Sequence, residues 1–166
     1  MCTIRPAQLS DLNTITEIYN EAIRTTTATF DTEPKTEDEQ EAWFDSHGPR
    51  YPILVAESNG VVIGWACLSK WSDRCGYSGA AEISLYVKQE LQGKGIGKRL
   101  MEAIINDGKR VGLHTVIGRI AEGSDVSVHL FESFGFHHIG VMKEVGRKFG
   151  RLLDVHLVQK IYPDDV

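Results

Sequence analysis

Cysteine is scarce: Cys2, Cys67 and Cys75 are the only three in 166 residues, an odd number without paired metal-ligand spacing. That excludes a disulfide framework and a structural zinc site, and it fits a reducing compartment. The histidines, at 47, 114, 129, 137, 138 and 156, contain no His-x-x-x-His pair or other ligand set, so no metal is expected. No apolar run approaches the roughly 20 residues of a membrane span, and residues 1–6 lack an apolar leader segment. Positive charge is also in deficit. Eighteen Lys and Arg against 23 Asp and Glu leave a net charge of -5, which argues against nucleic acid or an anionic membrane as the main partner. The expectation is a soluble, cytoplasmic protein.

What is present is an ordinary globular composition, 42% hydrophobic and 25% charged, in a chain long enough to bury a sizeable core. No linker, repeat or low-complexity tract interrupts residues 1–166, which read as one domain. A short strand at 3–5 precedes Ser10, a good N-cap for a first helix carrying Leu12, Ile15, Ile18, Tyr19, Ala22 and Ile23 at helical spacing. Pro34 ends a β-branched, polar stretch, and Thr36 with Glu39 forms a capping box for a second helix bearing Trp43 and Phe44. Asn59-Gly60 between apolar runs at 53–57 and 61–68 signals a hairpin. A strand at 80–87 follows, then a helix from about 97 to 110 stopped by Gly112, a strand at 115–120, and a short helix at 125–134. Strands at 136–143 and 152–162 complete the order. Helices and strands mix without strict alternation, which implies an α/β sandwich around a mixed sheet.

Between the 80–87 strand and the third helix lie Gln92, Gly93, Lys94, Gly95, Ile96, Gly97 and Lys98. A glycine-rich turn at a helix N-terminus exposes unpaired N–H groups to a phosphate, and Lys94, Lys98 and Arg99 add local positive charge to an acidic chain. A P-loop would need Ser or Thr after Gly-Lys, but Arg99 follows Lys98; a dinucleotide fingerprint would need Gly-x-Gly-x-x-Gly, but the glycines fall at 93, 95 and 97. A plain solvated turn is the remaining alternative. The pattern Gln92-x-x-Gly95-x-Gly97 resembles the Arg/Gln-x-x-Gly-x-Gly/Ala signature of the GNAT superfamily of acetyl-CoA-dependent N-acetyltransferases, and the element order is similar to the GNAT fold from end to end. The resemblance implies an α/β fold with a mixed, mostly antiparallel central sheet of about seven strands flanked by about four helices. Four further segments resemble the phosphinothricin/methionine-sulfoximine branch of L-amino-acid N-acetyltransferases. They are Thr-Phe-Asp-Thr-Glu-Pro at 29–34, Arg-Tyr-Pro-Ile-Leu-Val-Ala-Glu at 50–57, Trp71 to Tyr77 with Glu82, and Gly-Arg-Lys-Phe-Gly-Arg-Leu-Leu-Asp at 146–154. Members of that branch commonly form homodimers.

Acetyl transfer to an alkylamine requires that the ammonium lose a proton, and Glu82 is the candidate acceptor. It alternates onto one strand face with Ser84 and Tyr86, among otherwise apolar neighbours, where partial burial would raise its pKa and a water could carry the proton. A strand glutamate merely paired with a nearby Arg or Lys is the competing reading; the resemblance implies a catalytic role. It also implies that Leu85, Tyr86 and Val87 offer main-chain groups to the pantetheine arm and thioester oxygen of acetyl-CoA. Residues 92–98 would hold the pyrophosphate, and Ser124, where relatives usually carry Asn, and Ser133 would touch the cofactor. Phe131 stands where relatives place Tyr or His and has no proton to give, so it reads as core; a thiolate can depart without an acid.

An amino-acid carboxylate calls for arginine. Arg74 matches the branch's Trp-x-x-Arg-x-x-Tyr loop, although Ser72 and Ser78 replace further arginines of some relatives; Lys70 would compensate. Cys75, Gly76 and Tyr77 would line the acceptor pocket, with Phe30 and Trp71 as apolar walls. The expected activity is direct acetyl transfer to the α-amine of a small amino acid or analogue of the phosphinothricin or methionine sulfoximine type. A covalent route through Cys75 would give ping-pong kinetics. Other amines (a polyamine, an aminoglycoside, a protein N-terminus) and a non-catalytic acyl-CoA sensor are the alternatives.

Overall fold

The computed structural model describes residues 1–164. In chain order it contains β1 (Thr3–Pro6), α1 (Leu12–Thr25), α2 (Glu37–His47), β2 (Ile53–Ser58), β3 (Val61–Lys70) and β4 (Ala80–Val87), then α3 (Ile96–Arg110), β5 (Thr115–Ala121), α4 (Asp125–Ser133), β6 (His137–Lys148) and β7 (Arg151–Ile161). The seven strands form one sheet in the order β1-β2-β3-β4-β5-β7-β6, and only β4 and β5 run parallel.

Alternation along β3 explains the layers. Trp65 and Cys67 face one side, where α1 lays Ile15 and Ile18 against Val55; Ala66 and Leu68 face the other, where α3 buries Leu100, Met101 and Ile104 with Ile83 and Val116. Each such fully buried aliphatic contributes about 1.5–3 kcal/mol, so the two helices clamp the middle of the sheet from opposite faces. Local signals agree with this arrangement. Asn59 (φ 51°) and Gly60 (φ 77°) make the tight β2–β3 turn, and Thr36 and Glu39 exchange the two capping-box bonds at 3.2 and 2.8 Å.

Three expectations are corrected. Ser10 does not cap α1. It lies in a short 3-10 turn (Leu9–Asp11), and Asp11 accepts the Gln8 N–H at 2.8 Å while holding Arg5 through two bonds of 2.8 and 2.9 Å. Asp11 thus closes the 3-10 turn and anchors Arg5, and α1 starts at Leu12 without a side-chain cap. α3 begins at Ile96 rather than Gly97, because Gly95 already takes the left-handed conformation (φ 83°) that precedes it. β6 extends to Lys148 and turns through Phe149 (φ 51°) and Gly150 (φ 73°) into β7; the register shift between Met142 and Gly146, with Glu144 at φ 50°, hides its second half from a simple alternation pattern.

The feature that positions the site is a parting of strands. β4 pairs with β5 only at Ala80–Thr115, Ala81–Val116 and Glu82–Ile117, whereas β4 continues along β3 to Val87 and β5 continues along β7 to Ala121. Beyond Glu82 the sheet is split.

Candidate active site

The split opens a cleft of about 480 Å³. Ile83 and Leu85 of β4, Ile120 and Ala121 of β5, Met101 of α3, Leu130 and Phe131 of α4, and the loop at 27–31 line it. The Lys88 N–H donates to Ile63 C=O at 3.0 Å, and antiparallel ladders alternate strictly, so residues 82, 84 and 86 turn their main-chain groups to β3 while 83, 85 and 87 turn theirs to the split. Of the three residues expected to offer main-chain groups, Leu85 and Val87 therefore do so at the open edge. Tyr86 does not; its main chain is spent on β3 and its hydroxyl donates to Ala28 C=O at 3.4 Å. The Val87 carbonyl receives the Gln92 side-chain amide at 3.3 Å, which ties the turn to the strand.

Glu82 lies where pairing between β4 and β5 ends, and its side chain is 25% exposed in the cleft. Burial raises its pKa above the ordinary carboxylate value, and the Arg119 guanidinium, 3.6 Å away, opposes the shift without cancelling it. The residue thus has an arginine partner and still holds its proton more tightly than a free carboxylate. Arg119 in turn lies 4.9 Å from the centre of the Trp71 ring. Ser84 and Tyr86 share the Glu82 face, opposite Cys67 and Trp65. Burial pushes the Cys67 thiol up to about 12, leaving it protonated.

At the head of α3, Gly93 (φ 77°) and Gly95 (φ 83°) are left-handed, with open space where a Cβ would lie. The first bond closing onto the turn is Arg99 N–H to Gly95 C=O at 3.2 Å, so the amides before it lack intrahelical partners. Lys94 and Lys98 are exposed beside them. Arg99 leaves the expected basic cluster: its guanidinium donates to the Cys2 carbonyl and lies 3.2 Å from the Cys2 sulfur. Ser124 lines the cleft, as does Ser127, which the sequence did not single out. Ser133 does not; it sits in the last turn of α4 and donates to Leu130 C=O at 2.6 Å. Phe131 packs edge-on against Phe136, 4.9 Å between ring centres, and forms part of the core.

The acceptor loop departs most from expectation. Phe30 lines the cleft and Trp71 reaches it through Arg119. Lys70 is exposed and paired with Asp73 at 3.5 Å, while Arg74, Cys75, Gly76 and Tyr77 form an exposed turn outside the residues lining the cleft. The cationic group beside Glu82 is instead Arg119. Its only signal in the sequence was a lone charge inside the apolar strand Thr-Val-Ile-Gly-Arg-Ile-Ala. The loop at 27–31 is held from behind by Lys148, which donates to Thr29 C=O at 2.7 Å, and by Phe30, whose ring covers Gly146 so closely that a Cβ has no room. Tyr19 donates to Asp31 and lies 3.0 Å from the Thr29 hydroxyl.

The cleft thus forms where two parallel strands part, with an open strand edge on one wall and left-handed glycines heading the adjoining helix. The family profile described as Acetyltransferase (GNAT) family matches residues 15–136. The chain belongs to the GNAT acetyltransferase family. It is an enzyme of that family, transferring acetyl from acetyl-CoA to an amine. A methionine sulfoximine/methionine sulfone acetyltransferase of Pseudomonas paraeruginosa is 39% identical over 95% of this chain and 92% of its own. A phosphinothricin N-acetyltransferase of Streptomyces coelicolor is 36% identical over 92% and 91%. Among solved structures, a GNAT phosphinothricin acetyltransferase of Sinorhizobium meliloti in complex with acetyl-CoA superposes with a TM-score of 0.93 at 36% identity, over 96% of this chain and 88% of that one. The edge at Leu85 and Val87, which has no neighbouring strand, and the open glycine turn fit a pantetheine arm and a pyrophosphate. Among the described residues no cluster of three or more His, Cys, Asp or Glu could hold a metal ion.

Proposed function

We propose that the protein transfers acetyl directly from acetyl-CoA to the α-amine of a small amino acid or analogue of the phosphinothricin or methionine sulfoximine type, with Glu82 as general base. The observation that carries this reading is the placement of Glu82: a partly buried carboxylate of raised pKa at the point where β4 and β5 part. Acetyl-CoA supplies the activated acyl group. The chain's own residues do the rest: Leu85 and Val87 at the split edge offer main-chain groups to the pantetheine arm, and one N–H there meets the thioester oxygen, as in an oxyanion hole. The turn at 92–98 takes the pyrophosphate, assisted by Ser124, and Glu82 accepts the ammonium proton directly or through a water. Phe30 provides an apolar wall for the acceptor side chain.

Direct transfer is supported by the cysteines. Cys67, opposite Ser84, is the nearest in space, but its thiol is fully buried and protonated at neutral pH, and Cys75 lies on the exposed loop. The test is thiol release from acetyl-CoA against a panel of amino acids, polyamines, aminoglycosides and a peptide N-terminus. Turnover with amino acids and intersecting double-reciprocal plots support the reading; turnover with the other amines alone, or parallel plots, would replace it, and binding without turnover would indicate a sensor.

We further take residues 1–166 to act as one catalytic domain and as a homodimer in the cytoplasm. Free cysteines favour that compartment, and exposed Ile139, Val145, Phe149 and Leu152 along the β6–β7 hairpin favour self-association. Sedimentation at micromolar concentration separates dimer from monomer.

A further inference from the structure

Arg119 is the one basic side chain among the described residues lining the cleft, where it stands between Glu82 and the Trp71 ring in contact range of both. Its Nε stands 3.6 Å from Glu82 Oε2, longer than a hydrogen bond, so the pairing leaves the guanidinium donors uncommitted. Among the described residues it makes no hydrogen bond, and half of its side chain (51%) is exposed. Its guanidinium carbon lies over the Trp71 ring, 4.9 Å from the ring centre. An arginine lying over a ring, half open and unbonded, is prepared for a ligand that brings its own acceptors.

We propose that Arg119, held against Trp71, binds the carboxylate of the amino-acid acceptor and so places its α-amine at Glu82. The inference rests on the reading that the acceptor is an α-amino acid, and it names the residue that recognises that class. The ammonium nitrogen and the carboxylate carbon of an α-amino acid are two bonds apart, so the groups that hold them must be neighbours of opposite charge. Glu82 and Arg119 are such a pair. The guanidinium fork can meet both carboxylate oxygens, which a lysine cannot. Arg74, the residue first expected in this role, lies in the exposed turn, and Lys70 is engaged with Asp73. A polyamine or aminoglycoside, lacking a carboxylate, would bring a cation against Arg119 instead.

The test compares Arg119→Gln and Arg119→Lys with wild type on two acceptors, methionine sulfoximine and the same molecule without its carboxyl group, with acetyl-CoA affinity measured by calorimetry on each variant. Wild type favours the amino acid. In Arg119→Gln the ratio of kcat/KM between the two acceptors falls on the order of 10- to 100-fold, the loss of a charge-assisted contact, and KM for the amino acid carries it. Arg119→Lys restores part of the preference, and acetyl-CoA affinity stays as in wild type. A preference that survives in Arg119→Gln overturns the assignment, as does an equal slowing of both acceptors, which would mean that Arg119 acts through Glu82 alone. Wild-type enzyme that acetylates no amino acid refutes the underlying reading separately, before any variant is compared.

Discussion

Replacing Lys148 by methionine tests whether the end of β6 holds the wall of the cleft. The lysine is 4% exposed, and its ammonium donates to Thr29 C=O at 2.7 Å, on a residue itself buried at 8%. Methionine keeps most of the stem volume and removes the charge. A hydrogen bond to a charged group contributes about 1.5–3 kcal/mol, and its loss leaves a buried carbonyl unpaired. The opposing effect is relief of a buried cation, whose pKa is lowered because burial outweighs the attraction of Asp31. The net expectation is a loss of about 1–2 kcal/mol, or a Tm lower by about 2–8 °C for a chain of this length.

The sign of the pH dependence follows from the lowered folded-state pKa. Between that value and the ordinary 10.5 the unfolded chain binds more protons than the folded one, so wild-type stability rises with pH in this window. The deficit of the variant therefore widens as pH climbs towards 10.5. Because Thr27 to Asp31 wall the cleft, KM for the acceptor rises severalfold while acetyl-CoA affinity holds. Thermal melts across pH and steady-state kinetics read both effects. A variant as stable as wild type with an unchanged KM would show that the buried lysine is a burden and holds nothing.

Two further outcomes are expected. Because the folded-state pKa of Glu82 is raised, wild type loses stability as pH rises above the free carboxylate value of 4.5; Glu82→Gln therefore melts higher than wild type at pH 7.5, and the difference disappears below that value, as melting curves across pH will show. Gly95→Ala meets nothing within 4 Å but forces a side chain to φ 83°, which costs about 1–2 kcal/mol of backbone strain. It appears as a lower Tm or as weaker calorimetric binding of acetyl-CoA if the turn relaxes; an unchanged Tm together with unchanged affinity would remove that turn from the cofactor site.

Local chemistry was legible and long-range pairing was not. Asn59-Gly60, the Thr36–Glu39 box and the glycine turn at 92–98 each specify a conformation through a few adjacent residues, and strict alternation alone put Glu82, Ser84 and Tyr86 on one face. Arg119 escaped because its neighbour Glu82 is reached only through the parallel β4–β5 contact, formed across the whole of α3. The same non-local fact decides which of Leu85, Tyr86 and Val87 face the split. Arg74 was assigned by motif, and a motif does not say which way a loop turns. In β6, the bulge at 142–146 breaks the period of two on which strand recognition depends.

The proposed reaction needs a proton-accepting carboxylate beside an acetyl-CoA site that forms without it. Turnover and calorimetric acetyl-CoA affinity of Glu82→Gln, measured on one preparation at pH 8, test both halves together. The expected result is a kcat lower by 10²- to 10⁴-fold, the usual contribution of a general base, with affinity within about twofold of wild type. A variant that turns over like wild type, or that loses acetyl-CoA along with activity, would contradict it.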